Sequence, residues 1–293
     1  MLARSITELR PTAIFTLGET ADWVAISSDA VWVGSTAPFA VHRIDPKSDR
    51  IVAEIPLAGA PCAGLAVGFN SLWIPLCTAA PSLAKVDLAS NRLSATFAIG
   101  AAAAEAGITV DQHGVWLVTN KSGSLVRIDP DTGTVQAMLQ IAAGSYNPHY
   151  SEGIVWVSQA EGSRLTGVDT ASLRVSALLA TGPNPRFLTS GDGAIWTLNQ
   201  GDGTVSRVDI KTGAMIATIP CGIPGSGGEI AFGAGSIWPT NRDFPITQID
   251  VSTNKVVKQW GGPGGDGIKF GFGSVWLSNG SLQTVWRISP DQK

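Results

Sequence analysis

The sequence predicts an all-β chain folded as a seven-bladed β-propeller, and three observations carry that prediction. A tryptophan recurs in short apolar runs at Trp32, Trp73, Trp116, Trp156, Trp196, Trp238 and Trp276, with successive spacings of 41, 43, 40, 40, 42 and 38 residues. Twelve to fourteen residues after each of the first six stands an acid closing a second apolar run: Asp45, Asp87, Asp129, Asp169, Asp209 and Asp250, with Ser289 in that place in the seventh unit. No stretch sustains a capped helical period. Units of about 40 residues with four short strands each are the signature of propeller blades, whereas β-solenoids stack units of about 20 to 30 residues and need caps at both ends.

The third unit shows the elements in order. Gly107 to Val110 is a strand, Asp111 to Gly114 a turn, Val115 to Val118 a strand, Leu125 to Ile128 a third, Asp129 to Gly133 a turn, and Val135 to Ile141 a fourth. Gly, Asp, Asn and Pro supply the turn chemistry between them. The seventh unit ends after its third strand, Thr284 to Ile288, and lacks a fourth. Residues 11–18, Pro11 to Gly18, match the fourth strands Ile51 to Gly59, Leu93 to Gly100 and Met215 to Gly222 in pattern. They are expected to complete blade seven and close the ring, which removes exposed sheet edges and makes residues 1–293 one domain. Each repeated Trp then packs between blades, at roughly 4 to 6 kcal/mol apiece as an upper bound. The repeated aspartates read as Asx-turn residues that accept backbone N–H bonds.

Composition bounds the function. The 293 residues carry 20 Lys+Arg against 23 Asp+Glu, a net charge of -3, so there is no basic excess to neutralise a nucleic-acid backbone. No apolar run reaches the roughly 20 residues of a membrane span, and Met1 to Pro11 carries charges where a signal peptide needs an apolar stretch. The expectation is a soluble monomer without nucleic-acid or membrane partners, cytoplasmic as given, or periplasmic or secreted if an export signal has been removed. Three His at unrelated blade positions and three Met give no copper or redox ligand cluster.

Comparison of the copies indicates the working face. The first-to-second strand turns are alike, whereas Pro75 to Leu83 is long, Gly222 to Gly228 and Gly261 to Gly267 are Gly-rich, and Ala142 to His149 carries Tyr146 and Asn147. The site is therefore expected at the channel mouth formed by those variable connections. Ten residues before each Trp stand Asp22, Ala63, Ala106, His149 (if the fourth unit has a three-residue deletion), Arg186, Gly228 and Asp266. This sets a basic side, His149 with Arg186, against an acidic one, Asp22 with Asp266; Glu105 and Glu229 are one residue out of that register. Three residues after each Trp come Ser35, Leu76, Thr119, Gln159, Asn199, Asn241 and Asn279, a polar rim that suits either ligand hydrogen bonding or loop capping. Trp23, Tyr146, Asn147 and Asn184 complete the expected ligand contacts. The ligand class is a small molecule or peptide, and a propeller that binds without chemistry is the alternative to an enzyme.

The blade pattern, with Val-Trp-Leu or Ile-Trp-Thr followed by Val-Arg-Ile-Asp-Pro or Ser-Arg-Val-Asp, resembles the streptogramin lyase family over the whole chain. That resemblance implies a seven-bladed propeller that opens a cyclic depsipeptide by elimination, using a His after Pro in one blade, a Glu-Pro-His in the next, and magnesium. Pro148-His149 is similar to the first element, while Asn184-Pro185-Arg186 aligns with the second, with Asn for Glu and Arg for His. The pair lies in blades four and five, not near the chain end as in the family. On this reading His149 is the base and Arg186 the fixed positive charge that stabilises the enolate. Asn184 supplies no anionic metal ligand, which leaves Asp22 and Asp266 as the candidates for Mg2+.

Cys62, Cys77 and Cys221 are an odd number. A hairpin turning at Phe69-Asn70 sets residues whose numbers sum to 139 opposite each other, and 62 and 77 do so. Cys62 and Cys77 are thus either a disulfide or two small buried thiols.

Overall fold

The computed structural model describes residues 3–222, 225, 227–241 and 244–292; part of the Gly222 to Gly228 connection lies outside them. The described residues form seven sheets and no α-helix, only two single turns of 3-10 helix. Every sheet is an antiparallel meander of four strands, innermost first, such as Thr20–Ile26, Val31–Thr36, Ala40–Asp45 and Arg50–Pro56 in blade one. In blade two the innermost strand is split into Ala60–Pro61 and Ala66–Gly68. Ala13–Thr16 pairs antiparallel with Thr284–Ile288 as the fourth strand of blade seven. A further short segment, Arg4–Ser5, runs parallel to the outer edge of blade six at Trp260 and Gly261.

All seven repeated tryptophans are buried, at 1% exposure or less. Four of their indole N–H groups bond the first-to-second turns: Trp73, Trp196, Trp238 and Trp276 donate to the carbonyls of Gly68, Gly191, Gly233 and Gly271 at 3.0–3.1 Å. Those glycines are required by the next blade. A Cβ at Gly68 would strike Val110, one at Gly191 Phe232, one at Gly233 Phe270, and one at Gly271 Ile26. At four of the seven junctions the inner strand therefore seats a side chain on the bare backbone of its neighbour, blade one on blade seven included.

A second interblade device is cationic. Lys85, Arg127, Arg207 and Arg287 lie over the rings of Trp73, Trp116, Trp196 and Trp276, at 4.7–5.7 Å from the centroids. Their heads continue into the next blade's third-to-fourth turn, donating to the carbonyls of Pro130, Thr170, Val251 and Pro46. The last of these joins blade seven to blade one. The six repeated aspartates accept backbone N–H bonds two or three residues on, for example from Lys47, Thr132 and Thr212 at 2.7–2.8 Å; these bonds hold the carboxyls of Asp45, Asp129 and Asp209 below the usual range, and turn serines do so first for Asp87, Asp169 and Asp250.

Cys62 and Cys77 form a disulfide, with Cα atoms 5.6 Å apart. They are not directly opposed. The hairpin keeps the sum of 139 only at its tip (Ala66 with Trp73), while beyond the split Ala60 faces Cys77 and Pro61 faces Leu76. Cys221 is free and buried, and burial pushes its thiol up to about 12.

Candidate functional site

The inner strands line a central channel, and the depth of each residue follows from how far it precedes its blade's tryptophan. Directly opposite the seven tryptophans stand Ala25, Ala66, Thr109, His149, Thr189, Ala231 and Lys269. Every one of them precedes its Trp by seven, so blade four carries no deletion. The residue ten before Trp156 is Tyr146, and the mouth ring reads Asp22, Ala63, Ala106, Tyr146, Arg186, Gly228 and Asp266. His149 sits three residues deeper than Arg186, about 10 Å along the channel at 3.3 Å per residue. The expected pairing of His149 with Arg186 at one level is thereby corrected, and with it the match of Pro148-His149 to Pro185-Arg186.

Three inner strands bulge near the mouth, around Trp23, Tyr146 and Arg186-Phe187. A bulge re-aims the side chains that it carries. The Arg186 guanidinium lies 5.4 Å from the Tyr146 ring centroid and 5.9 Å from that of Phe187, and donates to the Glu105 carbonyl on blade three at 3.0 Å. Its own carbonyl is fixed from blade four, by Asn147 Nδ2 at 2.6 Å and Ser158 Oγ at 2.7 Å. On the other side Asp22 accepts the Trp23 N–H at 2.7 Å and Asp266 accepts that of Gly228 at 3.1 Å. Burial first, then the carboxylates of Asp266 and Glu105, holds the Asp22 carboxyl well above its usual range. The mouth thus sets Arg186 and Tyr146 across from Asp22 and Asp266, with the Glu105 carboxylate acting on both Arg186 and Asp22.

The described residues give magnesium a sparse donor set. The ion demands near-octahedral oxygen ligands, and Asp22 and Asp266 supply two carboxylates, each with one oxygen accepting a backbone N–H. Among the described residues no group of three or more His, Cys, Asp or Glu is placed to hold a metal. Asn184 is exposed, with φ at 51°.

Other expected contacts are used internally. Trp23 is buried and packs against Phe187, ring centroids 6.2 Å apart, so it meets no ligand at the mouth. Asn199 is fully buried and tied to Thr197, Thr204 and Ser206. Asn279, equally buried, accepts the Gly265 N–H at 2.7 Å. Gln159 donates to the Ala143 carbonyl at 3.0 Å, and Asn241 is buried with its backbone bridged to Phe244. The polar rim is therefore mainly a set of loop caps. Glu229 lies below the mouth, buried and bonded to Lys269 at 2.6 Å.

Because blades one and five are not neighbours, the Trp23–Phe187 contact spans the channel and divides it. Beneath it lies a cavity of about 350 Å³ lined from all seven blades, His149 and Lys269 included, and by no residue of the mouth ring. His149 Nε2 is 3.0 Å from Ser190 Oγ. Burial, with Lys269 as the second cause, pushes its imidazole from 6.5 down to about 4, so it is neutral at pH 7. Lys269, Phe187 and Ser190 were not expected from the sequence; the count of seven before each Trp would have aligned Lys269 with His149.

No protein-family model matches the chain, and no curated protein matches it. Two solved structures are similar to it across nearly their whole length. A streptogramin B lyase superposes with a TM-score of 0.78 at 18% identity, covering 94% of this chain and 96% of the other. BamB from Moraxella catarrhalis gives 0.71 at 11% identity, covering 96% and 99%. The likeness is one of fold alone: this chain is a seven-bladed β-propeller.

Proposed function

We propose that the chain is a ligand-binding propeller whose mouth takes a small zwitterionic molecule or short peptide. The observation that carries this reading is the mouth ring itself, with Arg186 stacked beside Tyr146 on blades four and five and Asp22 with Asp266 on blades one and seven. A planar guanidinium beside an aromatic face recognises a carboxylate in fixed orientation, and the acidic side favours an amine. Titration calorimetry with trialanine, N-acetyl-trialanine and trialanine amide tests it. Trialanine should bind at least tenfold tighter than either capped form, and Arg186→Ala should remove the preference for a free carboxylate. Equal binding of all three peptides would refute the reading.

The second reading is elimination on a cyclic depsipeptide, favoured by the fold likeness to a streptogramin B lyase and by the neutral His149, a base in the right protonation state. Its weakness is depth: His149 lies below the Trp23–Phe187 contact and Arg186 above it. Incubation with a streptogramin B, followed by mass spectrometry, decides the matter. Elimination gives a linear product of unchanged mass, whereas hydrolysis adds one water. Recovery of intact cyclic substrate excludes both.

A further inference from the structure

The cavity beneath the Trp23–Phe187 contact is separate from the mouth, and an inference about it does not rest on the mouth reading. Its lining belongs to levels nine to six before the blade tryptophans, so it lies toward the first-to-second turns, on the opposite face. We propose that this lower chamber is a second binding site, for a small neutral molecule with one ring and one hydrogen-bond acceptor, such as an aromatic ketone.

Size and polarity set that class. A cavity of about 150 Å³ suffices for benzene, so about 350 Å³ accommodates a substituted ring with room to spare. The walls are mixed, polar and apolar in about equal measure: Val67, Val110, Leu188 and Phe270 stand beside Thr109, Asn147, His149 and Lys269, and Phe187 belongs to the lining beneath the mouth. Apolar side chains in such a wall can hold a ring while the polar ones orient it.

Charge then selects among ligands. Lys269 Nζ gives one of its three donors to Glu229 Oε2 at 2.6 Å, and among the described residues no second acceptor is in reach. Its side chain keeps 35% exposure. The ion pair is neutral as a unit, and the chamber's imidazole is uncharged as well. An anion entering here would meet the buried Glu229 carboxylate, and a cation would meet the Lys269 ammonium. A carbonyl oxygen accepts from a spare Lys269 donor and adds no charge beside the Lys269–Glu229 pair.

The test uses ligand-observed NMR titration of the full chain with four probes of one shape: acetophenone, ethylbenzene, benzoate and benzylamine. Acetophenone is expected to bind with a Kd near or below 1 mM, at least fivefold tighter than ethylbenzene and at least tenfold tighter than the two ions. Ala66→Phe, which fills the chamber from blade two, should abolish acetophenone binding. The pair Lys269→Met with Glu229→Gln removes both charges together and should bring acetophenone down to the affinity of ethylbenzene. Thermal melts establish that each variant is folded. If the blocked chain does not fold, Thr109→Phe fills the same space from blade three. Failure of acetophenone to bind wild type at 10 mM overturns the proposal, as does preference for either ion or undiminished binding to a folded, blocked variant.

Discussion

Replacement of Arg207 by Met tests the cationic clasps between blades. Arg207 Nη1 donates to the Val251 carbonyl at 2.7 Å and to Asn254 Oδ1 at 2.8 Å, both on blade six, and its guanidinium lies 4.7 Å from the Trp196 centroid. Methionine retains the aliphatic stem over the ring but strands the carbonyl, since Val251 is itself buried. Hydrogen bonds to a charged group contribute about 1.5 to 3 kcal/mol, and a desolvated cation–π contact about 1 to 2 kcal/mol. The ion pair to Asp192 adds little, because Asp192 is half exposed. The expected cost is therefore about 3 to 5 kcal/mol. Arg43 is the internal control: it lies over Trp32 at 5.8 Å and pairs only with the exposed Asp29, with no reach into blade two. Arg43→Met should cost about 1 kcal/mol. Equilibrium urea unfolding of both variants measures the difference. Equal losses, within about 0.5 kcal/mol, would show that the reach into the next blade contributes nothing and that the stacking alone matters.

Three further outcomes are expected. Reduction of Cys62–Cys77, whose sequence separation is 15, should lower stability by about 3 kcal/mol; thiol titration of the denatured, unreduced chain should find one thiol, and native Cys221 should resist alkylation. The unfolded imidazole takes a proton near 6.5 and folded His149 only near 4, so its contribution is complete above pH 6.5 and is lost as pH falls toward 4. The gap is worth at most about 3 kcal/mol, and a stability–pH profile of His149→Gln should be flatter across that window. Gly233→Ala should cost about 1 to 3 kcal/mol, because its Cβ would come within 2.0 Å of the Phe270 ring; an unchanged melting temperature would mean that Phe270 is not seated there.

The fold was legible because it repeats. The tryptophans fall at a fixed place in every unit and the turn aspartates in the first six, and each has one physical role, burial between blades or capping of a turn. The clasps were equally present in the chain, as Lys85, Arg127, Arg207 and Arg287 eleven to twelve residues after their tryptophans. They went unread because a cation in a strand says nothing of its target until the neighbouring turn is placed. The site was legible only in part. Asp22, Asp266 and Arg186 lie at the mouth as counted, while His149 was misplaced by an assumed deletion that the hydrogen-bond register excludes. Asn199 and Asn279 read as ligand contacts because an amide that caps a buried loop and one that meets a ligand have the same sequence signature.

The sequence by itself determined the number of blades, the four-strand unit and the turn chemistry, since all of these follow from local periodicity and from residue types at repeated positions. It also brought Cys62 and Cys77 within reach of each other, as two residues of one hairpin. Only the tertiary structure decided what meets across the ring. Trp23 and Phe187 are 164 residues apart and touch because the blades curve round a common axis. Their contact divides the channel, and it sets Arg186 with the acids above and His149 with Lys269 below. No local pattern encodes that contact, because it depends on the summed rotation of seven blades.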